Sequence, residues 1–253
     1  MRIALLASPR YGNNWVHWVI SDVLGYPHFA AHSIEEFPLA LPPDCILNIH
    51  ALNNAPEREF FEKRSCILVA LTRHPLDIFV SVLQFARHEP AVHKWLNGSC
   101  RIPYEVQNLC PDDVEYVRWM SEDGASNLLS PSHSWWTYEK TLVRLRYEEL
   151  VRSPQETFNN LFERIGAKPK SSLQQALDNY PVSYFAQFKN HGWLGKSCTY
   201  VKFITKANCE LVYTAKQMYF MTGGYEIQGD EALTHEVARE RYFASITAGP
   251  AAS

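Results

Sequence analysis

Residues 8–15, SPRYGNNW, gather the side chains and backbone needed to grip an anion. Arg10 brings a fixed cation, Gly12 permits a tight turn, and Asn13 and Asn14 carry amide donors suited to phosphate-like oxygens. Arg73 follows an apolar run, with Ser81 eight residues on. An arginine can hold a phosphate through two parallel bonds and a serine can add a third. His50 closes another apolar run, two residues after Asn48. A histidine at the C-terminal edge of a parallel strand stands where open α/β sheets bind their ligands.

The elements that must position these groups are legible in the hydrophobic pattern. Ile3 to Ala7 is too short for a membrane span and right for a buried strand. Trp15, Val16, Trp18, Val19, Ile20, Val23 and Leu24 then recur at helical spacing and stop at Gly25, with Pro27 beyond. Strand, glycine turn and helix make a phosphate-binding loop: the freed amides of the first helical turn and the helix dipole both favour an anion. Ile46 to Ile49 reads as a second strand and Cys66 to Leu71, apolar throughout, as a third covered on both faces. Pro75 and Asp77 open a helix whose buried side is Ile78, Phe79, Val82, Leu83 and Phe85. Leu142 to Arg146 is a fourth strand, and Ser153-Pro154-Gln155-Glu156 reads as a capping box starting a helix that ends at Gly166.

Elsewhere the pattern is weaker. Residues 26–45 read as a loop with at most a turn of helix, and 53–63 as polar and helical toward its end. Residues 89–131 lack a clean period, with prolines at 90, 103, 111 and 131, and read as loops with short helices such as Asp112 to Met120. Such an insertion is either an acceptor-site wall or lid, or a solvated excursion. Short helices are expected at 171–179 and at 208–221, the second capped by Gly223-Gly224. The sum is an α/β fold: a parallel sheet flanked by helices on both faces, opened by strand, phosphate loop and helix. Residues 1–228 are expected to form one domain, and 229–253 a helical or disordered tail.

Composition fits this architecture. The chain has 253 residues, 46% of them hydrophobic and 20% charged, enough for one large buried core. A net charge of −3 gives no nucleic-acid or membrane-surface signature, so an anion site must be local. The six cysteines have no metal-ligand spacing, and the apolar start is too brief for a secretory leader; a cytoplasmic protein is expected.

The stretch 9–15 resembles the 5′-phosphosulfate loop of the sulfotransferases that use 3′-phosphoadenosine-5′-phosphosulfate (PAPS), P-[KR]-S-G-[TN]-[TN]-W. Pro9, Arg10, Gly12, Asn13, Asn14 and Trp15 fill matching positions, and Tyr11 stands where Ser is usual. Asn48-Ile49-His50 lies in the place of K-[TS]-H, with the lysine missing. Residues 73–81 match the 3′-phosphate segment R-x-P-x-D-x-x-x-S without a gap. Trp135-Trp136 with Tyr147-Glu148-Glu149-Leu150 is similar to W-W…R-Y-E-[DE]-L, the tryptophans reading as core. Residues 188–205 are more weakly similar to R-K-G-x-x-G-x-W…F-T: Gly192 and Gly195 keep the spacing, but Asn190 and His191 replace the Arg-Lys pair.

The resemblance implies a metal-free, PAPS-dependent sulfotransferase acting in line on a hydroxyl or amine of a small-molecule or glycan acceptor. His50 would be the general base, a role suited to a group titrating near neutral pH. Arg10 and the loop amides would stabilise charge growing on the bridging oxygen, and Asn48 would offer the moving group a hydrogen bond. For the cofactor it implies Arg10, Gly12, Asn13 and Asn14 at the 5′ end, and Trp15 on adenine with Tyr184 or Phe185 on the other face. It also implies Tyr147 on the nucleotide and Arg73 with Ser81 on the 3′-phosphate. Lys189, His191 and Gly192 would close over that phosphate, with Lys196 and Lys202 as further candidates. The K-x-x-x-T-V dimer motif of cytosolic relatives is absent, which leaves the oligomeric state unassigned. Two alternatives stay open. A P-loop-type kinase would need the Lys-Ser/Thr pair that this loop lacks. A catalytically silent nucleotide-binding protein would fit the loss of the K-x-H lysine and of the Arg-Lys pair.

Overall fold

The computed structural model describes residues 1–89, 102–187 and 195–247. In chain order the elements are β1 (Arg2–Leu6), α1 (Asn13–Leu24), β2 (His28–Ala31), β3 (Cys45–Ile49), α2 (Ala55–Lys63), β4 (Cys66–Thr72) and α3 (Pro75–Ala86). They continue with α4 (Val114–Ser121), α5 (Asp123–Trp136), β5 (Val143–Arg146), α6 (Tyr147–Arg152), α7 (Pro154–Ile165) and α8 (Leu173–Asn179). The last are α9 (Lys206–Ala215), α10 (Gln217–Gly223) and α11 (His235–Thr247). These elements fall into two compact units, Met1–Arg73 with Ser130–Val182, and His74–Leu129 with Ser183–Ser253.

The sheet belongs wholly to the first unit. Its strands are parallel in the order β2-β3-β1-β4-β5. Along β1 and β3 the side chains alternate between faces. Ala4, Leu6, Leu47 and Ile49 pack with Ala70, Phe61 of α2 and Trp135 of α5 on one face. Ile3, Leu5 and Ile46 are fully buried on the other, where Asn48 reaches His17 of α1. Helices therefore cover both faces, as a parallel sheet requires and as its apolar strands foretold.

β2, β3 and β1 end level and β4 and β5 run two residues further, which decides where the chemistry sits. Leu6 lies between Ile49 and Ala70, Ala31 beside Ile49, and Thr72 beside Arg146. All five strands end along one edge. The residues that follow are the loop at 7–12, His32, His50, Arg73 and Tyr147. The chain leaves β1 toward β3 and β2 but leaves β4 toward β5, so the edge between β1 and β4 is the switch point where such sheets bind ligands.

Four expectations need correction. Residues 28–31, read as loop, form the edge strand β2; held by pairing with β3 and half-open to solvent, it has no continuous apolar run to betray it. Residues 123–131, read as part of a stretch of loops with short helices, belong to one helix that runs to Trp136 through Pro131. The closing helix is divided between α9 and α10 at Lys216, whose buried ammonium turns to the Glu122 carbonyl and the Ser126 hydroxyl, 2.5 and 2.8 Å away. Ser153 ends α6 as well as starting α7; its backbone is not in cap geometry and its side chain makes no cap bond.

In the second unit buried carboxylates tie α3 and the residues before α4 to later parts of the chain. Asp77, in the first turn of α3, accepts from the Cys198 amide (2.7 Å), the Thr199 hydroxyl (2.8 Å) and the Tyr200 amide (3.0 Å). Tyr200 then stacks on His74, with centroids 4.4 Å apart. Asp112 accepts from the Thr205 amide at 2.7 Å and the Asn208 side chain at 2.8 Å, and Asp113 pairs with Arg239 of α11 at 2.8 Å. Tyr242 of α11 is fully buried against Phe203.

Candidate active site

After β1 the chain makes a compressed turn. Arg10 and Gly12 both take left-handed backbone, with φ of 72° and 83°. For Arg10 that conformation costs about 1–3 kcal/mol, and strain of this kind persists where the surroundings enforce it. Here Arg73 Nη1 donates to the Arg10 carbonyl at 3.0 Å, and Ser8 and Ser132 exchange backbone-to-hydroxyl bonds of 2.7 and 2.9 Å. Gly12 has two reasons to be glycine: its φ, and a Tyr147 ring that would lie 2.5 Å from any Cβ. Gly12 is the N-cap residue of α1 and no side chain caps that helix, so its first amides are left for an anion.

Two guanidiniums converge on this turn. Arg73 is 9% exposed and lies over the Tyr147 ring, 4.1 Å from its centroid. Arg10 is pushed down from 12.5 to about 10, chiefly by burial and then by the Arg73 charge, with Tyr147 pulling the other way. Two guanidiniums beside the first amides of α1 make a cradle whose charge and donors fit a phosphate or sulfate group.

His50 lies just beyond β3. Its Nδ1 is 2.7 Å from the Ala7 carbonyl, which can only accept, so Nδ1 carries the proton and Nε2 is the basic nitrogen. Burial is the main reason its pKa falls to about 4; the Ala7 bond opposes that and His32 adds to it. The near-neutral titration expected from sequence therefore moves well into acid. β2 brings His32 alongside, with ring centroids 5.8 Å apart.

Asn48 is bonded to residues of α1. It is 3% exposed; its amide oxygen accepts from Asn13 at 3.2 Å, and its amide nitrogen donates to His17 Nδ1 at 3.1 Å and to Asn14 at 3.5 Å. Both ends of the side chain are thus engaged with α1, and Asn48 supports the loop from beneath. His17, itself lowered to about 3 by burial and then by His28, is a neutral acceptor in this network. The sequence reading missed it, although its spacing from Asn13 and Asn14 puts the three on one helical face.

Trp15 is 5% exposed, donates its indole N–H to the Tyr180 carbonyl at 2.8 Å, and meets Phe158 edge-on at 5.8 Å. Those contacts pack its ring into the first unit. Tyr147, buried under Arg73 and against Gly12, shapes the turn. Ser81 and Tyr184 belong to the second unit, Ser81 buried within α3 and Tyr184 edge-on to Phe185 at 5.2 Å. Lys189, His191 and Gly192 lie outside the described residues. Among the described residues no cluster of three ligating side chains could hold a metal, and no helix is long and apolar enough to cross a membrane.

The five-stranded parallel sheet and its flanking helices form an α/β fold that matches sulfotransferase structures. Solved structures with this architecture include mouse sulfotransferase SULT7A1 complexed with PAP, at TM-score 0.61 and 14% identity over 96% of this chain and 88% of that one. Retinol dehydratase in a complex with retinol and PAP matches at TM-score 0.51 and 10% identity, over 90% and 83%. No family model matches the sequence, and no curated protein does.

Proposed function

We propose that this protein is a PAPS-dependent sulfotransferase, residues 1–228 forming the catalytic unit, that moves a sulfuryl group to a hydroxyl or amine of a small-molecule acceptor. The observation that carries the reading is the pairing, along one sheet edge, of a two-arginine anion cradle with a histidine whose basic Nε2 is fixed by the Ala7 carbonyl. The PAP-bound neighbours agree with it. PAPS supplies the activated sulfuryl group. Arg10 and the first amides of α1 hold its 5′ end and stabilise the charge that grows on the leaving oxygen. Arg73, with Ser81 by the motif's spacing, takes the 3′-phosphate, and Tyr147 fixes the Arg73 plane. His50 Nε2 removes the acceptor proton, and Asn48 keeps Asn13 and Asn14 in place.

A two-part assay tests this: calorimetric titration with PAP, and turnover of labelled PAPS with 2-naphthol, 1-butanol, benzylamine, glucose and water as acceptors. The expectation is PAP binding with transfer to at least one acceptor. PAP binding without transfer would leave a silent binding protein, and failure of both would remove the function.

A further inference from the structure

We infer that His32 and His50 form a two-imidazole proton exit, in which His50 takes the acceptor's proton and His32 passes it to solvent. The inference rests on the sulfotransferase reading and extends it to a residue that no motif marks.

The geometry comes from the edge strand. β2 and β3 pair in register through Ala31 and Ile49, so the next residue of each, His32 and His50, stand side by side where the strands end. Their ring centroids are 5.8 Å apart and their planes 44° from parallel, a separation that one bridging water spans. His32 is exposed, and its backbone amide is held by the Glu36 carboxylate at 3.1 Å, which fixes where the strand ends. His50 is anchored through Nδ1 to the Ala7 carbonyl, which leaves Nε2 to take and hand on the proton.

The acceptor oxygen forms its bond to sulfur as the bond from sulfur to the bridging oxygen breaks, and that electron pair stays on the 5′-phosphate. The acceptor's proton moves to His50 Nε2, giving an imidazolium that burial and the neighbouring ring both disfavour. Nε2 then gives the proton to the bridging water, which gives one to His32, and His32 loses it to bulk solvent. His50 returns to its starting tautomer with its Nδ1–H still on Ala7. His32 is thus a relay residue acting through His50 and touches no reacting atom.

The test compares wild type, His32→Ala, His32→Gln and His50→Ala with PAPS and the acceptor that turns over best, water included, at fixed pH and ionic strength while imidazole buffer is varied. His32 is exposed, so its variants are expected to keep the wild-type melting temperature. Both His32 variants should lose about tenfold in kcat at low buffer and regain it as imidazole rises, while wild type stays flat. A purely structural role would show no buffer rescue. His32 variants that match wild type in rate and buffer response, alongside a His50→Ala variant that has lost turnover, would overturn the relay alone. A His50→Ala variant with wild-type turnover would overturn the base and the relay together.

Discussion

A half-buried imidazole whose Nδ1–H is committed to a carbonyl has one lone pair left for chemistry, and at His50 that pair is unprotonated at neutral pH. Because protonation removes it, kcat/KM should fall as pH drops through about 4 and stay level above, in contrast to the limb near 6–7 of an ordinary histidine. His50→Ala should abolish that acid limb and lower the rate by about two to four orders of magnitude while PAP still binds. A limb that persists in the variant would assign it to another group. The two arginines should separate by assay. Arg73→Ala should weaken PAP by about 10- to 150-fold and AMP far less, since it removes a charge-assisted contact worth about 1.5–3 kcal/mol. Arg10→Ala should lower turnover by about a hundredfold or more with a smaller change in affinity. Equal loss for PAP and AMP in titrations of the Arg73 variant would reject its place on the 3′-phosphate.

At the scale of elements, Gly12 joins β1 to α1 under two constraints at once, its φ of 83° and the Tyr147 ring. Gly12→Ala should therefore weaken PAP binding at least about tenfold and destabilise the fold by about 1–3 kcal/mol, read by calorimetry and urea unfolding. Wild-type behaviour would mean that the turn relaxes freely. Asp77 does comparable work in the second unit, and Asp77→Ala strands two amides and a hydroxyl. A loss of about 3 kcal/mol or more is expected, and less than 1 would show that solvent replaces the carboxylate. The phosphate loop and four of the strands were legible because an apolar run ending at Gly, His, Arg or Tyr carries its own punctuation. The strand β2 was not, since HFAA is held by pairing with β3 and not by its own pattern, and with it went the neighbourhood of His32. Trp15 and Asn48 sit at motif positions, but burial and hydrogen bonding, invisible in one dimension, decide what they touch.

For the whole molecule, several histidines are held neutral in the folded chain. His17 and His50 lie at about 3 and 4, and burial also lowers His28 and His133. An unfolded histidine titrates near 6.5, so below that pH the unfolded chain binds protons that the native one refuses. Stability should therefore decline as pH falls from about 6.5 toward 4, and His17→Gln should show a shallower decline in melting temperature. A slope unchanged in that variant would remove His17 from the effect. The same edge of the sheet carries the proposed anion cradle and the base, and the central claim is that they act together on one sulfuryl donor. Incubation of the purified protein with PAPS labelled in the sulfuryl group, with products separated by chromatography, tests this most directly. The account predicts a labelled acceptor and an equal amount of PAP from wild type, with both lost in His50→Ala. Intact PAPS beside every acceptor, from a protein that is folded and binds PAP, would contradict it.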